Sequence, residues 1–266
     1  MGSPSPTGCA RISFLGLPLD AVGRERLFEY VFAATSQGGS RTIMYLNAHT
    51  CNLAFENEQM REALCKADMV YCDGEGVRFG ARVLGLRVPQ RTTAADFMPD
   101  LACGCARRGT SIYLLGGDAG VAEAAAERLG ESAPGLYVAG THHGFFLSPR
   151  DCSNEVIERI NLARPCILFV GLGSPLQEIW TCRHRHGIDV PLVWCVGGAM
   201  DFVSGRSKRA PRWMRCCGLE WLFRLGHEPR RLFGRYVAGN PRFLARVFAH
   251  RFGAGRSPRL PGKAES

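Results

Sequence analysis

Along residues 10–203, short apolar runs alternate with segments of helical spacing. The runs at 12–19, 41–48, 69–72, 111–115, 136–140, 166–171 and 192–196 read as strands. Apolar residues at nearly every position mark strands covered on both faces, as in parallel sheets. The segments between them read as helices, at 23–35, 50–66, 92–107, 118–129 and from Ser148-Pro149 to near Ala163. The 118–129 segment is alanine-rich, which favours helix strongly. Strands alternating with helices predict an α/β fold: a Rossmann-like, mostly parallel sheet with helices on both faces. No internal repeat interrupts the pattern.

Two glycine turns close the last two strands. The run at 166–171 ends in Gly171-Leu172-Gly173, and the next ends in Gly197-Gly198. Ser174, Pro175 and Gln177 predict an S-x-x-Q capping box at the start of a helix. Free backbone N–H groups at such a start hold anions such as phosphate. The dinucleotide fingerprint needs a third glycine where Leu176 stands, so a nicotinamide-dependent oxidoreductase is the weaker reading of these turns.

From Ser204 the pattern changes. Apolar residues, among them Trp213, Leu232, Phe233, Phe243, Leu244, Val247 and Phe248, are interleaved with arginine and broken at Pro229 and Pro241. Residues 201–266 hold 15 Lys/Arg against 4 Asp/Glu, a net of +11, while the first 200 residues carry a net of −2. This predicts a second unit, a basic amphipathic helical tail at 204–252, with 1–9 and 253–266 disordered. Its 204–226 part suits packing on the α/β core as well as it suits a membrane. For 227–252 aromatic residues opposite arginine favour an anionic membrane surface. Nucleic acid is the alternative partner for such a charge. No run is long enough to span a bilayer.

The chain has 12 cysteines. None forms a C-x-x-C pair, and several lie inside apolar runs, where a reduced thiol is a small hydrophobe. No secretory signal opens the chain. Together these predict a cytoplasmic protein with free thiols.

In open α/β sheets ligands bind beyond the carboxyl ends of the strands. The polar residues there are Asn47 and His49, Asp73, His142 and His143, Gln177, and Asp201. On the residues alone, Asp73 caps a helix and Asn47 forms a turn. The histidine pair lacks further ligands at metal spacing, so no metal site and no cofactor are expected.

The stretch from Val170 carries more. V-G-L-G-x-P-x-Q-E at 170–178, V-G-G-x-x-D-F-x-x-G-x-x-x-R-A-P at 196–211 and G-L-E-W-L-x-R-L-x-x-E-P-x-R from Gly218 resemble the signature of the WecG/TagA/CpsF family, glycosyltransferase family 26. The resemblance runs from about Ile12 into the tail. It implies an inverting, metal-independent hexosyltransferase. Such an enzyme moves a sugar, N-acetylmannosamine or another hexose, from a UDP-sugar to a polyprenyl-diphosphate-linked saccharide. The setting implied is surface-polysaccharide or teichoic-acid synthesis at the inner face of the bacterial membrane. It implies Asp73, in the A-D-x-x-x-x-D-G segment at 67–74, as catalytic base. Asn47, Arg91, Asp96, His142, His143, Gly171, Gly173, Gln177, Gly197, Gly198 and Asp201 would bind substrate. Tail arginines Arg212, Arg224, Arg230 and Arg231 would close over the leaving diphosphate. The chain departs from the family at Tyr45 (often Thr), Ala94 (usually Gly) and Leu176 (often Lys). Nucleic acid is not expected as a partner under this reading, and a homo-oligomer fits it.

Overall fold

Six strands form one parallel sheet in the order β4-β3-β8-β7-β5-β6: β3 Arg41–Leu46, β4 Met69–Cys72, β5 Ile112–Gly116, β6 Val138–His142, β7 Ile167–Gly171 and β8 Leu192–Cys195. The computed structural model describes residues 10–89, 92–147, 152–211, 213–214 and 219–253. The expectations for Arg91, Arg212, the helix start at Ser148, 1–9 and 254–266 fall outside that set.

Every residue of β4, β5 and β8 is buried, which is why their sequences lack polar positions. Helices α1 Arg24–Ser36, α5 Ala94–Arg108, α6 Val121–Ser132 and α9 Ala199–Val203 cover one face, packed on Ile43, Phe169 and Trp194. Helices α2 Ala48–Glu56, α3 Glu58–Lys66, α4 Glu75–Val83, α7 Ser153–Ala163 and α8 Leu176–His184 cover the other. The predicted α/β class and its parallel sheet stand.

Three local expectations are corrected. The run at 12–19 is an antiparallel hairpin, β1 Arg11–Phe14 and β2 Leu17–Asp20. Leu15 (φ 52) and Gly16 (φ 80) make its two-residue turn, and both positive φ values suit the twist of a tight hairpin. The helix expected at 50–66 is two, because Asn57 ends α2 and its side chain accepts from Met60 N–H to cap α3. Finally, α4 follows Asp73-Gly74 directly, in a stretch whose glycines hide its helical character. A Cβ on Gly80 would lie 3.0 Å from both Phe14 and Val247, so its bare backbone lets the tail dock on α4.

The tail comprises α10 Glu220–His227, α11 Pro229–Phe233, a π-helical turn Gly234–Ala238 and α12 Gly239–Arg251. Helix α12 packs on α2 and α4. Phe243 and Val247 are fully buried beside Phe14, and Arg246 reaches Glu56 at 3.0 Å. Phe243, Leu244 and Val247, read above as part of a lipid-facing stripe, therefore face the protein. Phe233, Val237, Phe248 and Phe252 are exposed, as are Leu222 and Trp213. Phe243→Ala is expected to cost about 3–5 kcal/mol, measured by urea unfolding, because a buried aromatic ring leaves a cavity. Unchanged stability would mean that α12 is not docked. Among the described residues no helix is long and apolar enough to cross a membrane.

Candidate active site

Strand β3 leads into α2 on one face of the sheet, while its neighbour β8 leads into α9 on the other. The chain parts at their carboxyl ends, and this switch point is the crevice at which α/β sheets bind ligands. Asn47, Asp73, the 171–173 turn and Gly197-Gly198 all lie at the carboxyl ends of β3, β4, β7 and β8.

Asn47 caps α2. Its Oδ1 accepts from the N–H groups of His49 (3.0 Å) and Thr50 (2.9 Å), and Thr50 Oγ1 accepts from Asn47 N–H at 2.8 Å. The cap occupies the amide oxygen and fixes the ring of atoms around it. The amide nitrogen is left pointing at Asp73, whose Oδ2 accepts from it at 3.4 Å. Asn47 is thus a helix cap whose remaining amide group is bonded to Asp73.

Asp73 is anchored by its own N–H, which donates to the Leu46 carbonyl at 2.9 Å and extends the β3–β4 ladder. Burial raises its carboxyl above the usual range, while Asn47, Thr93 and the charge of Arg235 pull it back and Glu220 pushes it up. A carboxylate that resists ionisation is a stronger base once ionised.

Arg235 was not singled out by the sequence. It sits in the π-helical turn, and its charge acts on Asp73, Tyr45, His49 and Glu178 alike. Its Nε is buried without a hydrogen-bond partner. Such turns recur at functional sites, but one arginine among 15 basic tail residues gives no sequence signal of this placement. Nearby His49 is pushed down to about 4, by burial first and then by Arg235, so it is a neutral imidazole.

Arg224 lies over the Phe202 ring at 5.0 Å, with Arg209 also over it at 4.9 Å. Arg206, Lys208 and Arg224 line a basic cavity of about 230 Å³ with Phe202 and Phe223. Arg230 is exposed, and the side chain of Arg231 falls outside the described residues. Asp96 pairs with Arg209, which also holds Glu220 at 2.6 Å. Asp96 thus ties α5 to the tail.

Gln177 does not make the expected capping box. Pro175 holds the N-cap position of α8, and no side chain caps the helix. Gln177 is fully buried and spans the crevice floor instead. Its Oε1 accepts from Gly197 N–H at 2.9 Å, and its Nε2 donates to Tyr45 Oη at 3.1 Å and to Glu178 Oε1 at 2.8 Å. Gly197 has φ +58, and a Cβ there would meet the Tyr45 hydroxyl at 2.6 Å. Gly171 and Gly197 approach so closely that a Cβ on Gly171 would lie 2.8 Å from the Gly197 carbonyl. Gly173 and Gly198 are exposed. Asp201 lies in the first turn of α9, its carboxylate beside Gly198.

His142 and His143 are not brought to Asp73. They end and follow edge strand β6, five strand positions from β4, roughly 24 Å at ordinary strand spacing. His142 donates Nδ1–H to the His143 carbonyl at 2.7 Å, and His143 Nδ1 accepts from Phe145 N–H at 3.2 Å. Among the described residues no three His, Cys, Asp or Glu side chains gather to hold a metal ion.

This arrangement can take a proton from a hydroxyl at Asp73 and receive an anion beside the glycine turns and Arg235. The chain has known relatives in sequence. The profile described as the Glycosyl transferase WecG/TagA/CpsF family matches residues 12–257. Relatives from Staphylococcus aureus strains NCTC 8325 / PS 47, COL and MRSA252 are each 28% identical over 218 residues, 81% of this chain and 84% of theirs. Each is named N-acetylglucosaminyldiphosphoundecaprenol N-acetyl-beta-D-mannosaminyltransferase. With that match over most of its length, the chain belongs to the WecG/TagA/CpsF family of glycosyl transferases.

Proposed function

We propose that this protein transfers N-acetylmannosamine, or a closely related hexose, from a UDP-sugar to N-acetylglucosaminyl-diphospho-polyprenol, with inversion and without a metal ion. The observation that carries the reading is the Asp73–Asn47 pair at the mouth of the β3–β8 crevice, within a chain of this family. The acceptor and the sugar follow the name that the relatives bear.

In the reaction the acceptor hydroxyl oxygen attacks the anomeric carbon from the face opposite the nucleotide. Asp73 takes the hydroxyl proton as the new C–O bond forms. The bond from the anomeric carbon to the phosphate oxygen breaks, and UDP leaves with its electron pair. Asn47 steers the carboxylate by donating to Oδ2, so that its other oxygen faces the acceptor. The growing charge on UDP meets Arg235, whose Nε lacks a partner, and the basic wall of Arg206, Lys208 and Arg224. The exposed Gly173 and Gly198 turns would offer backbone N–H groups to the phosphate oxygens.

A polyprenyl acceptor stays in its bilayer, so the enzyme works at the cytoplasmic membrane surface as a peripheral protein. Exposed Phe233, Val237, Phe248 and Phe252, set among arginines, supply that contact. Replacing Phe233 and Phe252 together with serine is expected to weaken binding to anionic liposomes about tenfold or more. Binding is read by co-sedimentation, with turnover on a water-soluble acceptor analogue retained. Equal liposome binding by the double variant would remove this face from the account.

A further inference from the structure

Behind the crevice floor lies a carboxyl group that the transfer chemistry does not use. Glu178, in the first turn of α8, is fully buried. Its Oε1 accepts from Ser174 Oγ at 2.7 Å and from Gln177 Nε2 at 2.8 Å. Ser174 Oγ lies 3.1 Å from Tyr45 Oη, which also accepts from Gln177. Gln177 Oε1 in turn holds Gly197 N–H. One carboxyl oxygen thus joins the ends of β3, β7 and β8, the strands that frame the crevice.

We propose that Glu178 is a positioning residue for sugar transfer: by fixing Gln177 and Ser174 it sets the spacing of the 171–173 and 197–198 turns between which the nucleotide diphosphate is held. This rests on the transferase reading above. The form that serves is the neutral acid. Its Oε2 is buried with no hydrogen-bond partner, so an ionised carboxylate would be held by donors at Oε1 alone, with its second oxygen desolvated. Burial pushes the group up to about 7, against the hydrogen bonds of Gln177 and Ser174, its own N–H and the charge of Arg235. The groups that act on Glu178 or feel its charge are Tyr45 from β3, Cys195 from β8 and Arg235 from the π-helical turn. Tyr45 and Cys195 are both held protonated by burial. From α3, Glu62 and Lys66 act on Cys182, farther along α8. As pH rises through about 7 the carboxyl ionises, and the charge shared with the desolvated Oε2 is expected to draw a donor or water into the junction and loosen it.

Two variants separate this role from packing. In Glu178→Gln the amide oxygen can accept from Ser174 and Gln177 as the acid does, and no charge can form. It is expected to match wild type at about pH 6 and to exceed it at about pH 8. In Glu178→Ala the KM for the UDP-sugar is expected to rise about tenfold or more, with kcat within about threefold, as for a lost binding geometry. An alanine variant with unchanged KM would overturn the proposal, and so would a glutamine variant as impaired as alanine. Infrared difference spectra of wild type against Glu178→Gln give a readout independent of turnover. A protonated-carboxyl carbonyl band at pH 6, absent in the variant and lost in wild type as pH rises, is expected. Its absence from wild type would overturn the neutral form. If wild type shows no transfer at all, the transferase reading fails by itself, while the infrared band still decides the state of Glu178.

Discussion

Asp73→Asn is expected to lower kcat by about 10²–10⁴, the range for a positioned general base, with KM for both substrates nearly unchanged. Asparagine keeps the size of the side chain and can still accept from Asn47, so only the proton acceptor is lost. The pH dependence makes the test sharper. Burial raises the Asp73 carboxyl, so the acid limb of kcat lies above the usual carboxylate range. As pH falls through that limb the base protonates and turnover stops. The residual activity of the variant has no such limb. Folding works in the opposite sense. A carboxyl whose folded-state pKa is raised contributes stability at low pH and loses it as pH rises through that pKa. Removing the charge therefore relieves the folded state near neutral pH, and Asp73→Asn should be at least as stable as wild type there. A thermal melt at neutral pH checks that lost turnover is not lost folding. A variant retaining most of its kcat would exclude Asp73 as the base.

The second large effect is that of Arg235→Ala. Losing one preorganised charge or donor aimed at developing negative charge costs about 10²–10³ in kcat. Arg235→Lys keeps the charge but not the planar fork, so it should recover only part. The substitution also has a signature apart from rate. Arg235 lowers both Asp73 and His49, so in Arg235→Ala both should titrate higher. The acid limb of residual activity moves up, and the His49 ring, read by NMR, rises from about 4. A tail that never approached the crevice would leave both titrations in place. The same substitution at exposed Arg230 is the control.

Much of this was legible in the sequence, and the failures have physical causes. Strands such as 69–72 and 192–195 were readable because burial on both faces leaves no room for polar residues. The hairpin at 11–20 was not, because Leu15 in its turn is itself buried and the apolar run continues through it. Helix α4 was hidden by Gly76 and Gly80, whose value lies in the approach of α12, a contact made by residues more than 160 positions away. Asp73 stood out through its segment and its place after a strand. Gln177 fits two patterns at once. Only the fold shows that its amide turns inward to Tyr45 and Gly197 rather than back to the helix start. Tyr45 looked like a departure, yet its hydroxyl is a member of the same buried network. Arg235 was beyond reach, since charge pattern selects a tail and not the residue that a π-helical turn rotates toward the crevice.

The most direct test of the account is transfer itself. Purified protein, with EDTA present and anionic liposomes carrying N-acetylglucosaminyl-diphospho-polyprenol, would be given a panel of UDP-sugars. UDP release and the mass of the lipid-linked product would be followed beside Asp73→Asn. UDP release and a disaccharide product are expected with UDP-N-acetylmannosamine or one related hexose, undiminished by EDTA and abolished in the variant. Product formation that survives in Asp73→Asn, or that appears only when a divalent metal is restored, would contradict this mechanism.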